Sequence, residues 1–393
     1  DIVFTGEGVY PLIEIASLEV VDVAALNEIA GIAFRQGAHI KINKGSKTVS
    51  GKDMDEVMPG YAWDLLPYKN TPFDLYRCPL WHADYFNEFR TPYVAIQTSI
   101  GCQFKCSFCM INLVNKNDDL EMGVSSNYNG MRHWSTDHVK KVFHELVANG
   151  VYTIRITDEM FFLNKKYYRP IVQFLKELNT DDKLRLWAYS RIDTVPDPET
   201  LKDIRKAGFR WLCLGIESGN RNIRLEVAKG KFEEVDVVEV VKQIESAGIN
   251  VLANYIYGLP GDTLETIEET YQLGCELNTL GWNTYAAMAL PGSPLYADSV
   301  ANGVKVPKDY EEFSFHSYSS LPLPTNTLEA YQVLSRRDQD FEKYFSRPEF
   351  LEKLRAKFGS EAEDTILNML KTSLRRKIIE EANASIEGNT NGY

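Results

Sequence analysis

Residues Tyr93–Met110 read YVAIQTSIGCQFKCSFCM, and the rest of the chain arranges itself around them. Tyr93, Val94, Ile96 and Thr98 are aromatic or β-branched with partial alternation, the pattern of a strand. The strand breaks at Gly101 into a loop carrying Cys102, Cys106 and Cys109, spaced C-x3-C-x2-C. Three thiols in one short loop can converge on one metal centre, and their odd number argues against disulfides. A structural zinc site closes with four ligands, and no fourth Cys or His lies nearby. Thiolates on the irons of a [4Fe–4S] cluster suit the spacing better, with one iron left open to a ligand other than protein. A structural zinc or redox site is the competing reading of the same cysteines.

Downstream of this loop, strands and helices alternate as they do in βα units with a parallel sheet. Ser135 is placed to cap a helix that ends near Gly150. VYTIRITDE, KLRLWAYSR, FRWLCLGIE, NVLANYIYG and NTYAAMAL then read as strands two to six. The intervening helices are expected at Lys165–Leu178, from Asp197 to Gly208, at Phe232–Ala247 and at Thr263–Leu277. Six βα units over 93–297 are too few for a closed eight-fold barrel, so an α/β fold with a parallel sheet is expected there. From 298 to 393 the alternation stops. Helices are expected at Thr327–Tyr344, Arg347–Phe358 and Glu361–Glu381, before a polar, disordered end, ASIEGNTNGY.

Upstream, residues 1–92 form another unit. DIVFTGEG reads as the closing strand of an open α/β sheet whose other strands are missing, ending in the turn Gly6-Glu7-Gly8. A short helix is expected at Leu18–Ile29 and a hairpin turning at Gln36-Gly37. A Pro- and aromatic-rich linker, MPGYAWDLLPY, follows.

Composition narrows the classes further. The chain has 393 residues, 44% hydrophobic and 25% charged, room for two or three units of about 100–200 residues each. No apolar run approaches the ~20 residues that span a bilayer and no secretory signal is seen, so a cytoplasmic protein is expected. A net charge of −12 disfavours duplex nucleic acid as a partner. Cys78, Cys213 and Cys275 read as buried or incidental thiols. Phosphate loops of Walker type, G-x-S-x-G elbows and H-E-x-x-H zinc helices do not occur.

The cysteine loop, the aromatic Phe108 before its last cysteine and the six βα units together resemble the radical S-adenosylmethionine superfamily, and the resemblance implies an open (β/α)6 partial TIM barrel over 93–297. In that family the open iron of the cluster chelates S-adenosylmethionine through its amino and carboxylate groups. One electron from the reduced cluster, delivered by a donor such as flavodoxin or ferredoxin, then cleaves the cofactor to a 5′-deoxyadenosyl radical. The GEG turn, the segment Pro59–Pro67 and SRPEFLEKLRAKFG in the tail resemble the branch that carries an N-terminal, Rossmann-like cobalamin domain. Residues 1–92 would then be the remnant of such a domain plus linker, with Gly6, Glu7 and Gly8 forming one lip of a cobalamin crevice.

The resemblance also assigns roles at the carboxyl ends of the strands. Asp158 and Glu159 fall where the family holds the cofactor's amino group. Ser190 and Arg191 fall where a guanidinium meets its carboxylate. Glu217 and Ser218 fall on the ribose-contacting strand. A solvated acid pair, an Arg191–Asp193 ion pair and a plain glycine turn would use the same letters. The activity implied is cobalamin-dependent methyl transfer to an unactivated centre of a small-molecule or peptide substrate. Cyclisation, oxidation and rearrangement remain open, as does a non-catalytic iron–sulfur redox protein.

Overall fold

The computed structural model describes residues 1–45, 47–66, 93–111, 130–227 and 235–390. Its first unit is a three-stranded antiparallel sheet of β1 (Ile2–Phe4), β2 (Ile32–Gln36) and β3 (His39–Asn43), with β2 in the middle. β1 thus takes its partner from the hairpin that follows it, pairing Ile2 with Phe34 and Phe4 with Ile32, which the reading of β1 as a strand without neighbours did not foresee. Helix α1 (Val9–Ala16) begins directly after the Gly6–Gly8 turn, where no helix was expected. The helix expected at Leu18–Ile29 is only α2 (Val23–Glu28), because Asp22 caps it by accepting from the N–H of Ala25. Helix α3 (Met54–Val57) leads into the linker.

The barrel strands are β4 (Tyr93–Ile96), β7 (Thr153–Ile156), β8 (Arg185–Arg191), β9 (Phe209–Glu217), β10 (Asn250–Tyr257) and β11 (Gly281–Ala286). They lie side by side in that order, all parallel, in one open sheet. A short antiparallel pair, β5 (Ser99–Ile100) with β6 (Arg132–His133), sits beyond β4. Near-continuous apolar runs such as WLCLGI are what a sheet buried on both faces requires. The sixth strand starts two residues earlier than the expected Asn283.

Between the strands run α4 (Thr136–Ala148), α5 (Lys165–Leu178), α6 (Pro198–Lys206), α7 (Arg221–Val227), α8 (Val237–Ser246), α9 (Leu264–Leu277) and α10 (Pro294–Ala301). Ser135, Asn164, Asp197, Asp236, Thr263 and Ser293 each cap a helix with a side-chain oxygen. The cap at Asp236 explains why the helix expected from Phe232 begins at Val237. Residues 228–234 lie outside the described residues.

The C-terminal part contains α11 (Ala330–Phe345), α12 (Pro348–Phe358), α13 (Ser360–Met369) and α14 (Lys377–Thr390). Tyr344 stacks on Trp282 of β11 at 4.8 Å and donates to the carbonyl of Thr279. Phe358 stacks on Trp211 at 6.0 Å, so α12 lies under the amino-terminal ends of the strands. The helix expected over Glu361–Glu381 is two helices. The end read as disordered is helical as far as Thr390. No helix among the described residues is long and apolar enough to cross a membrane.

Candidate active site

The loop after β4 is held from below by Asp158. This carboxylate is fully buried and accepts from the Thr98 N–H, the Thr98 hydroxyl and the Ser99 hydroxyl, each at 2.6 Å. Burial pushes its carboxyl up, and the hydroxyl and amide donors oppose that. Thr98 is pinned again through its carbonyl, which accepts from Tyr167 at 2.7 Å and from the Trp134 N–H. Gly101 follows with φ +94°, a left-handed conformation that suits glycine, and turns the chain into the cysteine loop.

Cys102 is buried and Cys106 and Cys109 are half-buried, and among the described residues none of the three is in a disulfide. Each thiol is pushed up first by burial and then by neighbouring negative charge, Cys106 to about 12. Among their charged neighbours are the other thiols of the loop, Glu159 and Glu217. Arg191 opposes the rise at Cys102 and Cys106, and a cationic centre among the thiols would favour their ionised form further. Among the described residues, no three His, Cys, Asp or Glu side chains stand close enough to hold one metal ion. Three thiols on one short loop are by their chemistry a donor set that fits a [4Fe–4S] cluster.

Two carboxylates face the thiols. Glu159 is pushed up to about 7 by burial, and among the described residues its enclosed Oε2 has no hydrogen-bond partner. Glu217 is raised to about 7 by burial, against the opposing charge of Arg191, and its backbone is left-handed at φ +66°. A Cβ on Gly215 would stand 2.6 Å from the Glu217 carboxylate, so the missing side chain there makes room for it. Such a backbone at a glutamate is strain, and strain of this kind gathers at ligand sites. The arrangement, rich in acceptors and poor in donors, suits a cationic group such as an ammonium.

The other sequence-selected residues serve the frame. Arg191 donates through Nε to Asp193 at 2.6 Å and through NH2 to the same carboxylate, and its guanidinium lies 3.5 Å from the centre of the Phe104 ring. It therefore joins the cysteine loop to β8. Ser190 bonds Thr194 at 3.2 Å. Ser218 is buried against Thr270 and caps Asn220. Glu7 is far from the thiols in sequence and pairs with buried Arg132 at 2.6 Å, while its other oxygen accepts from the Val49 N–H. It lines a cavity of about 340 Å³ with Tyr61, Trp134 and His138, between the Gly6–Gly8 turn and the barrel. Phe104 was not singled out from the sequence, and Asp193 only as the ion-pair partner in the competing reading of Arg191. Strand alternation, which puts Arg191 on the inner face, is the signal that leads to them.

An open parallel half-barrel with three thiols above its first strand defines the class of protein. Residues 96–274 match the family model of the Radical SAM superfamily, and the chain carries a radical S-adenosylmethionine domain. It is 24% identical over 322 residues to an uncharacterised methyltransferase of Pyrococcus horikoshii, covering 80% of this chain and 61% of that protein. It is 26% identical over 325 residues to the anaerobic magnesium-protoporphyrin IX monomethyl ester cyclase of Cereibacter sphaeroides, covering 80% and 47%. The fold is similar to that of the methyltransferase TsrM of Kitasatospora setae, solved with cobalamin and a [4Fe–4S] cluster. The TM-score is 0.54 at 18% identity, over 78% of this chain and 55% of that one. The cobalamin-dependent enzyme OxsB gives a TM-score of 0.53 at 15% identity, over 99% and 65%. The chain thus spans about half to two thirds of the length of these proteins.

Proposed function

We propose that the protein is a cobalamin-dependent radical S-adenosylmethionine methyltransferase that acts on an unactivated centre of a small-molecule or peptide substrate. The observation that carries this reading is a loop of three thiols after the first strand of the open barrel, electrostatically coupled to Glu159 and Glu217. Cys102, Cys106 and Cys109 would hold the [4Fe–4S] cluster. When bound, the cluster and S-adenosylmethionine supply the electron and the carbon radical needed to break an inert C–H bond. Glu159 and Glu217 receive the cationic groups of the cofactor, and the Arg191–Asp193 fork keeps Phe104 and the loop in place. The buried walls of the half-barrel keep water from the reacting centre.

In this reading residues 1–92 belong with a cobalamin unit and its linker, 93–297 are the barrel and 298–393 its helical extension. The exposed apolar side chains Val3 of β1 and Ile40 and Ile42 of β3, on the N-terminal three-stranded sheet, support a further unit packing there. An electron donor such as flavodoxin or ferredoxin in the cytoplasm would reduce the cluster. The cyclase relative keeps oxidative cyclisation as the alternative.

The test is anaerobic reconstitution followed by incubation with reductant and S-adenosylmethionine labelled in its methyl group. Release of 5′-deoxyadenosine is expected, with label passing to a corrinoid and then to substrate. A reconstituted protein that makes no 5′-deoxyadenosine overturns the reading. The Glu159→Gln variant is expected to keep its iron while its affinity for S-adenosylmethionine falls about tenfold to a hundredfold, the weight of one charge-assisted contact. Calorimetry showing wild-type affinity in this variant would remove Glu159 from the cofactor site.

A further inference from the structure

We propose that the lumen of the half-barrel contains a carboxylate-recognition site centred on Arg155, so that the substrate is a carboxylate-bearing molecule. The inference deepens the enzymatic reading above, and rests on it for calling the ligand a substrate.

Alternation along β7 sends Ile154 and Ile156 into the packed face and Arg155 into the lumen. There the guanidinium is half-buried, 4.6 Å from the centre of the Trp187 ring and 5.2 Å from that of Tyr189. Both rings come from β8, two residues apart, and stand 5.9 Å from each other. The aromatic faces attract the cation but offer its N–H groups nothing to donate to. Among the described residues Arg155 makes no ion pair and no hydrogen bond, and its Nε is enclosed without an acceptor. Buried arginines elsewhere are matched with acids, Arg132 with Glu7, Arg191 with Asp193, Arg210 with Asp182 and Arg376 with Asp338, and buried Arg224 donates to the Ser218 and Gly219 carbonyls. Arg155 is held in position and left electrically incomplete.

The described polar groups across the lumen at the level of Arg155 include neutral Asn254, Asn283 and Tyr285, with the acids Glu159 and Glu217 nearer the cysteine loop. Asn254 donates to the Cys213 sulfur at 3.0 Å, and Asn283 donates to Asn254 Oδ1 at 3.2 Å and to the Tyr285 hydroxyl at 3.1 Å. Asn254, Asn283, Tyr285 and Tyr189 are all half-buried, so the lumen they share with Arg155 is open to a ligand. A planar anion matches the guanidinium fork, and two parallel charge-assisted bonds would complete it. Arg155 precedes Glu159 on the same β7 segment, so a carboxylate seated on it directs the remainder of the molecule toward the cysteine loop.

The experiment uses the full chain, anaerobically reconstituted, with 4-fluorobenzoate and its neutral partner 4-fluorobenzamide as probes followed by ¹⁹F NMR. Wild-type protein is expected to bind the acid at least about tenfold more tightly than the amide. Arg155→Gln is expected to erase that preference while iron content stays at the wild-type level. Equal binding of the two probes by wild type, or an undiminished preference in the variant, overturns the proposal. Should Arg155→Gln fail to fold, Arg155→Lys takes its place: a reduced preference supports the site, and an unchanged one overturns it. Protein that keeps the Arg155-dependent preference yet releases no 5′-deoxyadenosine would overturn the enzymatic reading and leave the anion site standing. Release without preference would do the reverse.

Discussion

Replacing Cys102, Cys106 and Cys109 together with alanine is expected to abolish iron and sulfide incorporation on anaerobic reconstitution. The broad iron–sulfur absorbance should disappear with them. The three thiols stand on one loop, half-buried or buried, each raised by burial and by its negative neighbours. Without sulfur at these positions the pocket keeps only Glu159 and Glu217, and carboxylates alone do not assemble a cubane of iron and sulfide. The loop itself should survive, because it is tied down by groups the substitutions leave intact: Phe104 under Arg191, and the Ser107 carbonyl, which accepts from the Leu295 N–H at 2.9 Å. Apo wild type and the triple variant should therefore melt within a few degrees of each other. A variant that retained a full complement of iron would place the cluster elsewhere in the chain.

The second large effect is expected at Asp158. Asp158→Ala removes the acceptor of three buried donors at once, two of Thr98 and one of Ser99. A buried donor left without a partner costs about 1–3 kcal/mol, and together these make a loss of about 3–5 kcal/mol reasonable after local relaxation. Because Thr98 and Ser99 precede the cysteine loop, reconstitution yield should fall with stability. Asp158→Asn, which keeps one acceptor oxygen, should fall between. Urea unfolding of the apo proteins measures this directly. A loss below about 1 kcal/mol for Asp158→Ala would show that the turn is held by Tyr167 and Trp134 instead.

Asp158 and Glu159 also show where reading letters reaches its limit. Adjacent acids at a strand end look equivalent, yet the two-residue alternation that buries Ile154 and Ile156 continues through Asp158. Glu159 falls on the side of Arg155. That parity was present in the sequence and was not applied to the pair. The barrel strands and helix caps were legible because apolar runs and cap residues at Ser135, Asp197 and Thr263 are local signals. The cysteine loop was legible from its spacing alone. What stayed hidden depends on distant partners. The pairing of β1 with β2 needs the later hairpin, the Glu7–Arg132 ion pair joins residues far apart, and the break before α14 depends on Arg376 reaching Asp338 and the Ser317 carbonyl. Unpartnered Arg155 was equally invisible, since no sequence shows which charges go without a mate.

An open barrel has something a closed one lacks, two raw margins of backbone, and these are ready templates for stray strands. Here both margins are dressed by side chains from outside the barrel. At the first, the N–H of Gln97, just past β4, donates to the hydroxyl of Tyr61 in the linker at 2.8 Å. At the last, Arg337 of α11 donates to the Thr284 carbonyl of β11 at 2.8 Å. The flanking segments are thus insulation as well as attachment. Trimming the chain to its catalytic-looking middle would strip both margins together and turn a well-behaved sheet into a self-adhesive one.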